Sequence, residues 1–336
     1  MATVDIAIPC YRYGHFLQGC VQSILSQSMD DVRILIIDDA SPDDSGEVAR
    51  ALAASDPRIE VSIHPENRGH IATYNEGIAW AKAPFFLSLS ADDYLAPFAL
   101  ERAVAVMKAR PDVVLTYGAC VNLFEGQPAP QFASTSADPQ WRLWTSRDFV
   151  KRHCAGIRNL VPTPTAIVRT ATQKMIGGYR ACLPHAGDME MWLRFAAYGP
   201  VAETPLAQAV YRVHGANMSS AYYKSIIPDY TQRLDVFDIF FANDGKRLAD
   251  AKELHALAKR RLAAAAFWTG VAQWCRGDRA TGAEILRFGL ALNPRMKALP
   301  PFGHLLRLER PHAKLRSVVG DAMHAPGRTT GADAFV

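Results

Sequence analysis

Two adjacent carboxylate pairs, Asp38-Asp39 and Asp92-Asp93, stand at the ends of apolar runs in this chain of 336 residues. Each run reads as a buried strand. Each pair therefore belongs at a strand's carboxyl end, where parallel α/β sheets bind their ligands. Two further ends carry chemistry: Pro9-Cys10-Tyr11-Arg12 after the first run and Asn67-Arg68-Gly69 after the third. One rim thus collects an aromatic ring, an arginine and acidic pairs. A turn or cap accounts for Asp43-Asp44, but coincidence at four successive loops is a poor account of the rest. Hard oxygen ligands of this kind hold Mg²⁺ or Mn²⁺, usually as one or two carboxylates completed by phosphate oxygens. Neither a G-x-x-x-x-G-K-[ST] loop nor a G-x-G-x-x-G fingerprint occurs, so a nucleoside diphosphate would be gripped through the metal. Asp92-Asp93 is the pair placed to hold it.

Later in the chain, Gly187-Asp188-Met189-Glu190 opens a helical pattern and offers two carboxylates as general bases. They lie two residues apart, so they face different ways; Asp188 is the preferred base, because Gly187 leaves its backbone open to a close substrate, and Glu190 reads as a solvated or structural acid. His214 follows a strand-like Val210-Tyr211-Arg212-Val213 and is weighed evenly between packing and a metal or diphosphate role. Trp192 and Phe195 read as core, and Tyr222-Tyr223 as either loop packing or an acceptor-cleft lining.

The elements that must position these residues follow from periodicity. Apolar runs predict strands over 4–9, 33–39, 59–63, 85–90 and 113–121. Helical spacing predicts helices over 16–26, 71–81 and 97–108 between them, with another starting at Ser41-Pro42. This alternation is that of an α/β sheet. Residues 125–140 read as a surface loop, followed by a helix near 146–153, a strand at 165–169, a helix over 188–197 and an extended segment at 206–214. Beyond Tyr222 the pattern is helical, with helices over 249–275 and 281–292.

Composition bounds the class. A 49% hydrophobic, 21% charged chain can bury a core, which excludes fibrous and extensively disordered proteins. A net charge of +4 is too mild for a dedicated nucleic-acid binder. The charge is uneven: residues 1–220 carry 19 basic against 22 acidic groups, and residues 221–336 carry 18 against 11. The six cysteines show no C-x-x-C spacing, which points away from a disulfide frame and toward a reducing, cytoplasmic compartment. No signal peptide and no membrane span are read.

The residues Ile8-Pro9-Cys10-Tyr11, Ile36-Ile37-Asp38-Asp39, Asn67-Arg68-Gly69, Asn75-Glu76-Gly77, Ser90-Ala91-Asp92-Asp93, Gly187-Asp188-Met189-Glu190-Met191-Trp192 and Tyr211-Arg212-Val213-His214 occur in this order. Together they resemble the family 2 glycosyltransferases, nucleotide-sugar enzymes of the GT-A fold. The resemblance implies an α/β catalytic domain over 1–220; the chain would continue as a helical extension over 221–316 and a tail over 317–336. It also implies roles. Tyr11 would pack on the base in a pocket shaped by Pro9, and Asp39 would accept a hydrogen bond from that base, favouring uracil or thymine. Arg68 would face the nucleotide or its phosphates. Asp92 would approach the ribose or metal, Asp93 and His214 would ligate Mn²⁺ or Mg²⁺, and Asp188 would deprotonate the acceptor. The implied reaction is inverting transfer from a UDP- or dTDP-sugar to a saccharide, lipid-linked or protein-linked hydroxyl. Two departures stand out: Arg12 replaces the usual asparagine, and Ser90 replaces the first acid of a D-x-D. A sugar-phosphate nucleotidyltransferase and a non-catalytic nucleotide-sugar-binding or scaffolding protein are the alternatives. The first lacks its Gly-rich phosphate loop, and the second is disfavoured by intact Asp92, Asp93 and Asp188.

The resemblance stops before the helical third. There, Arg295, Lys297, Arg307, Arg310, Lys314 and Arg316 interleave with leucines and Phe302. That pattern suits either a solvated helix face or peripheral contact of 295–316 with an anionic membrane at the cytoplasmic face. The preceding hairpin-like unit needs a partner surface, in this chain or in a second subunit.

Overall fold

The computed structural model describes residues 2–132, 139–217 and 226–305. They form two compact units: 1–149 with 159–215, and 150–158 with 216–336. The first is built on a nine-stranded sheet. Strands β1 (Val4–Cys10), β2 (Val32–Asp38), β3 (Ile59–Ile63) and β4 (Phe85–Ser88) are joined by helices α1 (Gly14–Leu25), α2 (Ser45–Ser55) and α3 (His70–Trp80). They run parallel in the order β3-β2-β1-β4, so their carboxyl ends share one rim. Val4, Ile6 and Ile8 of β1 and Ile34, Ile36 and Ile37 of β2 are wholly buried. Continuous apolar runs are what strands covered on both faces require, and each such side chain contributes about 1.5–3 kcal/mol. Helix α1 seats Leu17, Cys20, Val21 and Ile24 in the core, the i, i+3, i+4, i+7 stripe of a helix packed on a sheet.

Beyond β4 the sheet turns mixed. After α4 (Ala99–Ala109) come β6 (Leu115–Phe124), β7 (Arg142–Trp144), α5 (Ser146–Gly156), β8 (Ile167–Arg169), α6 (Thr170–Ile176), α7 (Gly187–Ala196) and β9 (Val201–Val213). Strand β8 lies antiparallel between β4 and β6, and β9 runs parallel to β6. Strand β9 begins earlier than its hydrophobicity predicts, because Val201, Ala202 and Glu203 pair with both β6 and β7. A two-residue strand escapes prediction altogether: β5 (Tyr94–Leu95) pairs with Val210 and Ala209. It is too short for periodicity to reveal, yet it presses the Asp92-Asp93 loop against β9. The helix expected from Ser41 starts only at Ser45, where Asp43 Oδ1 accepts from Ser45 N at 3.1 Å. Asp43 thus makes a turn just ahead of the helix, and Asp44 holds the N-cap position without a side-chain bond, so the turn reading of the pair holds.

In the second unit, α8 (Ile226–Ala242) buries Tyr230, Val236, Phe237, Phe240 and Phe241, with Leu234 half-buried. Helices α9 (Ala251–Cys275) and α10 (Arg279–Leu292) form a hairpin. Their backbones touch: a Cβ at Gly282 would lie 2.7 Å from the amide nitrogen of Trp274, and one at Gly289 2.9 Å from the carbonyl oxygen of Ala263. The Tyr230 hydroxyl, 3.0 Å from Thr269 Oγ1, ties α8 to α9. Tyr222-Tyr223 and the tail 317–336 lie outside the described residues.

Candidate active site

At the rim, the loops after β1, β2 and β3 are stitched together by polar bonds. Arg12 N donates to Ser41 Oγ at 2.8 Å and Gly14 N to Ser45 Oγ at 2.8 Å. Asn67 Nδ2 donates to the carbonyl of Asp39 at 3.1 Å. Arg12 and Ala40 adopt left-handed backbone with φ of 62° and 55°. That conformation strains residues with a Cβ, and such strain gathers at functional sites. Pro9 is half-buried and accepts from Ala91 N. Tyr11, 43% exposed, offers its ring to solvent.

Asp39 is buried at the end of β2 and heavily bonded. Its Oδ1 accepts from Arg68 N at 2.8 Å and sits 2.7 Å from His64 Nδ1; its Oδ2 accepts from Gly69 N at 2.9 Å. A carboxylate has about four lone-pair positions, so the described residues leave one on Oδ2. Burial opposes the charge, but the Arg68 and Gly69 amides and His64 prevail and lower its pKa. The Arg68 guanidinium, half exposed, pairs with Glu76 Oε2 at 3.1 Å. Glu76 also accepts from Ser62 Oγ at 2.7 Å and lies 2.8 Å from His64 Nε2. The segment Asn75-Glu76-Gly77 thereby acquires three roles. Asn75 bonds the backbone of Tyr179 through both amide atoms. Glu76 holds His64 and Arg68, and Gly77 lets α3 settle on β1, where a Cβ would fall 2.5 Å from that of Ala7.

Asp92, Asp93 and His214 converge at the β4–β5 junction. Both carboxylates are buried, and His214 Nε2 lies 3.3 Å from Asp92 Oδ2. Arg212, on β9, donates its backbone N–H to Asp93 Oδ1 at 3.2 Å and its guanidinium to the carbonyl of Asp92 at 2.7 Å. That guanidinium lies over the rings of Phe16 and Tyr94, and the His214 ring sits among Tyr13 and Phe16. Burial first, and the Asp92 charge second, raise the Asp93 carboxyl pKa well above its ordinary value. A divalent cation relieves both penalties, so the oxygen-rich donor set fits one. Among the described residues no group of three or more His, Cys, Asp or Glu makes a cage; the remaining ligands would come from a diphosphate and water.

Asp188 opens α7. Its Oδ2 accepts from Asn159 Nδ2 at 2.7 Å and Thr163 Oγ1 at 3.0 Å, and its Oδ1 from Met189 N at 2.7 Å. Again the described residues leave one lone-pair position, here on Oδ1. Burial raises its pKa despite these donors, which makes it a stronger base than an exposed carboxylate. Tyr74 feels the charge of both acidic groups. Its buried hydroxyl, 3.1 Å from Ser90 Oγ, is pushed up to about 12 by burial first, with the charges of Asp92, Asp93 and Asp188 adding to the rise.

The structure separates the two base candidates. Glu190 is wholly buried, with Oε1 on Arg180 Nε at 3.0 Å and Oε2 on Arg194 Nε at 2.9 Å. Arg194 in turn donates to the carbonyls of Ile176 and Gly178. Glu190 is therefore structural. Replacing one partner strands a buried guanidinium, so Glu190→Ala is expected to cost about 3–5 kcal/mol in denaturant unfolding. Trp192 and Phe195 are core, as expected, at 4% and 0% exposure. His64, Tyr74, Asn159, Thr163 and Arg212 went unsingled in the sequence. Only Arg212 sat within a quoted motif, and the others are lone polar residues whose roles need the fold.

The basic stretch at 295–316 is described only to Leu305. Leu299 and Phe302 are exposed beside Arg295 and Met296, around a hollow of about 440 Å³ in the second unit. Among the described residues no helix is long and apolar enough to cross a membrane.

Known proteins resemble this chain in sequence and in fold. Residues 5–161 match the model of Glycosyl transferase family 2. The uncharacterized glycosyltransferase EpsJ of Bacillus subtilis (strain 168) is 35% identical over 99 residues, 30% of this chain and 28% of that protein. Chondroitin synthase of Pasteurella multocida (strain Pm70) is 36% identical over 98 residues, 29% of this chain and 10% of that protein. These matches span well under two thirds of either relative. Among solved structures, S. aureus TarS 1-349 in complex with UDP-GlcNAc aligns with a TM-score of 0.56 at 17% identity, covering 96% of this chain and 81% of that one. The mannosyltransferase PcManGT from Pyrobaculum calidifontis, in complex with GDP-Man and Mn²⁺, gives 0.56 at 18% identity, covering 96% and 85%. At these identities the structures establish the fold, which is GT-A with added C-terminal helices. Residues 5–161, which hold β1 to β4 and the loops with Asp39, Asp92 and Asp93, thus resemble a family 2 glycosyl transferase domain.

Proposed function

We propose that the chain is an inverting glycosyltransferase that moves a sugar from a nucleoside-diphosphate sugar, UDP- or dTDP-linked, to an acceptor hydroxyl. The observation that carries the reading is the pairing of a buried Asp92-Asp93-His214 group with a polar-held Asp188 around one tyrosine, Tyr74. The exposed ring of Tyr11 and the remaining Asp39 lone pair serve the base, and Arg68 the nucleotide. Asp188 takes the proton from the acceptor hydroxyl as its oxygen bonds to the anomeric carbon. The bond from that carbon to the diphosphate oxygen breaks on the opposite face, which inverts the centre. A divalent ion on Asp93 and His214, Mn²⁺ or Mg²⁺, with Asp92 toward the ribose or the ion, would neutralise the charge that the departing diphosphate gains. TarS with UDP-GlcNAc and PcManGT with GDP-Man and Mn²⁺ are the neighbours that support such a donor and metal. The acceptor is a saccharide, lipid-linked or protein-linked glycan, in line with the chondroitin synthase relative.

The test is transfer itself. The protein is incubated with UDP- and dTDP-sugars, Mn²⁺ and a panel of glycan acceptors, and the product linkage is read by NMR. Inversion of the anomeric centre is expected; a retained configuration, or no transfer from any donor, contradicts the proposal. The reading extends to placement at the cytoplasmic face of a membrane, supported by exposed Leu299 and Phe302 next to Arg295. Flotation with anionic liposomes checks it, with binding expected and lost on deleting 295–336.

A further inference from the structure

His64 lies at the end of β3, 6% exposed, in a position that ordinary packing does not explain. Both its ring nitrogens face carboxylates: Nδ1 is 2.7 Å from Asp39 Oδ1, and Nε2 is 2.8 Å from Glu76 Oε2. A neutral imidazole donates from one nitrogen and accepts at the other. In either neutral form, a ring lone pair would point at an anionic oxygen at hydrogen-bond distance. Only the doubly protonated ring satisfies both partners.

We propose that His64 is a positioning residue of the donor site, an imidazolium clasp that aims the base-reading Asp39 and makes nucleotide affinity depend on its own proton. The proposal rests on the donor-site reading above.

Three features carry it. First, the clasp spans elements: Asp39 ends β2, His64 follows β3, and Glu76 lies on α3. Its loss frees the carboxylate that faces the base. Second, the remaining Asp39 acceptor is defined only while the other three positions are filled, and His64 fills one of them. The Arg68 and Gly69 amides fill the others. Third, the charge count changes by one. The groups facing His64 are Asp39 from the β2 end and Glu76 from α3, with Arg68 beyond Glu76; the carbonyl of Asp38 accepts its backbone N–H. With an imidazolium the two acids and two cations balance. With a neutral ring the cluster carries a net negative charge next to the site of an anionic nucleotide.

Burial opposes the charged ring, but the bonds and charges of Asp39 and Glu76 outweigh it, so its pKa is raised above 6.5. The sign follows. The clasp is complete below pH 6.5 and is lost as pH rises through the elevated value, taking affinity and part of the local stability with it.

The experiment measures UDP and dTDP affinity by calorimetry at saturating Mg²⁺ from pH 6.5 to 9, in the native sequence, His64→Gln and Glu76→Gln. A lost charge-assisted bond weakens binding by about tenfold, so the native affinity is expected to fall about that much toward pH 9. His64→Gln is expected to bind at the weak level throughout, with no such fall. Glu76→Gln removes one acid and is expected to shift the fall to lower pH, which keeps the test available if the glutamine variant does not fold. A flat native profile, or parallel falls in the native protein and His64→Gln, overturns the proposal. Nitrogen-15 NMR of the nucleotide-free protein reads the ring directly: both nitrogens protonated at pH 7 is expected, and a neutral tautomer overturns it. If neither nucleotide binds at any pH, the donor reading fails, and the NMR result still decides the protonation of His64.

Discussion

Asp188→Asn is expected to lose about 10²- to 10⁴-fold in turnover while nucleotide affinity stays within about twofold. The substitution keeps the shape of the side chain. One amide oxygen can still accept from Asn159 Nδ2 and Thr163 Oγ1, which lie 2.7 and 3.0 Å from Oδ2 in the native protein. What disappears is the Oδ1 lone pair able to take a proton. No polar bond among the described residues links Asp188 to Asp92, Asp93 or Asp39, so donor binding should be spared. The pH profile makes a second, sharper readout. Burial raises the Asp188 pKa, so the native acid limb is expected above the ordinary aspartate value of about 3.9. The ionised base, and hence turnover, is lost as pH falls through that raised value. In Asp188→Asn this limb should vanish from the residual rate. Near-normal turnover in the variant would place the base elsewhere; equal losses of turnover and of affinity would make Asp188 a binding residue.

Asp93→Ala is expected to act in opposite directions on the free and the liganded protein. In the free protein, two buried acids sit side by side, and burial together with Asp92 lifts the Asp93 pKa. Removing one relieves that repulsion, so the melting temperature without ligand should hold or rise. With Mn²⁺ and nucleotide the sign reverses. Ligand at one hundred times its Kd stabilises a folded protein by about 2.7 kcal/mol. Affinity weakened about hundredfold by loss of the carboxylate leaves only about 0.4 kcal/mol of that. Thermal shift with and without ligand separates the two effects. A ligand-induced shift as large in Asp93→Ala as in the native protein would remove Asp93 from the metal site.

Much of this site could be read before the fold was in view, for a physical reason. Strands β1 and β2 are covered on both faces, so their apolar runs mark their own ends, and Tyr11 and Asp39 are located by where the apolar run stops. Asp92-Asp93 and Asp188 were legible in the same way, as polar breaks at an apolar strand's end and at a helix start. Asp188 is preferred because Gly187 leaves its backbone open and because the family resemblance points there; the Arg180–Glu190–Arg194 group shows that Glu190 is committed to structure. The supporting residues were not legible. His64 and Glu76 meet only when β3 and α3 are folded back on β2, and Asn159 and Thr163 reach Asp188 from across 29 and 25 residues of chain. Arg212 reaches Asp92 and Asp93 because β5 pins their loop to β9, a pairing of two residues with no periodicity to announce it. Long-range polar contacts leave no local pattern, and in this protein they hold each carboxylate in place.

The most direct measurement of the central claim, a nucleoside diphosphate held at the rim through a divalent ion, is a thermal-shift panel. UDP, dTDP, GDP and ADP are each tested with Mn²⁺, with Mg²⁺ and with EDTA, alongside their sugar-linked forms. The account predicts a rise in melting temperature with UDP or dTDP that requires the metal and disappears in EDTA. A nucleotide shift of the same size in EDTA, or no shift with any nucleotide in the presence of metal, would contradict it.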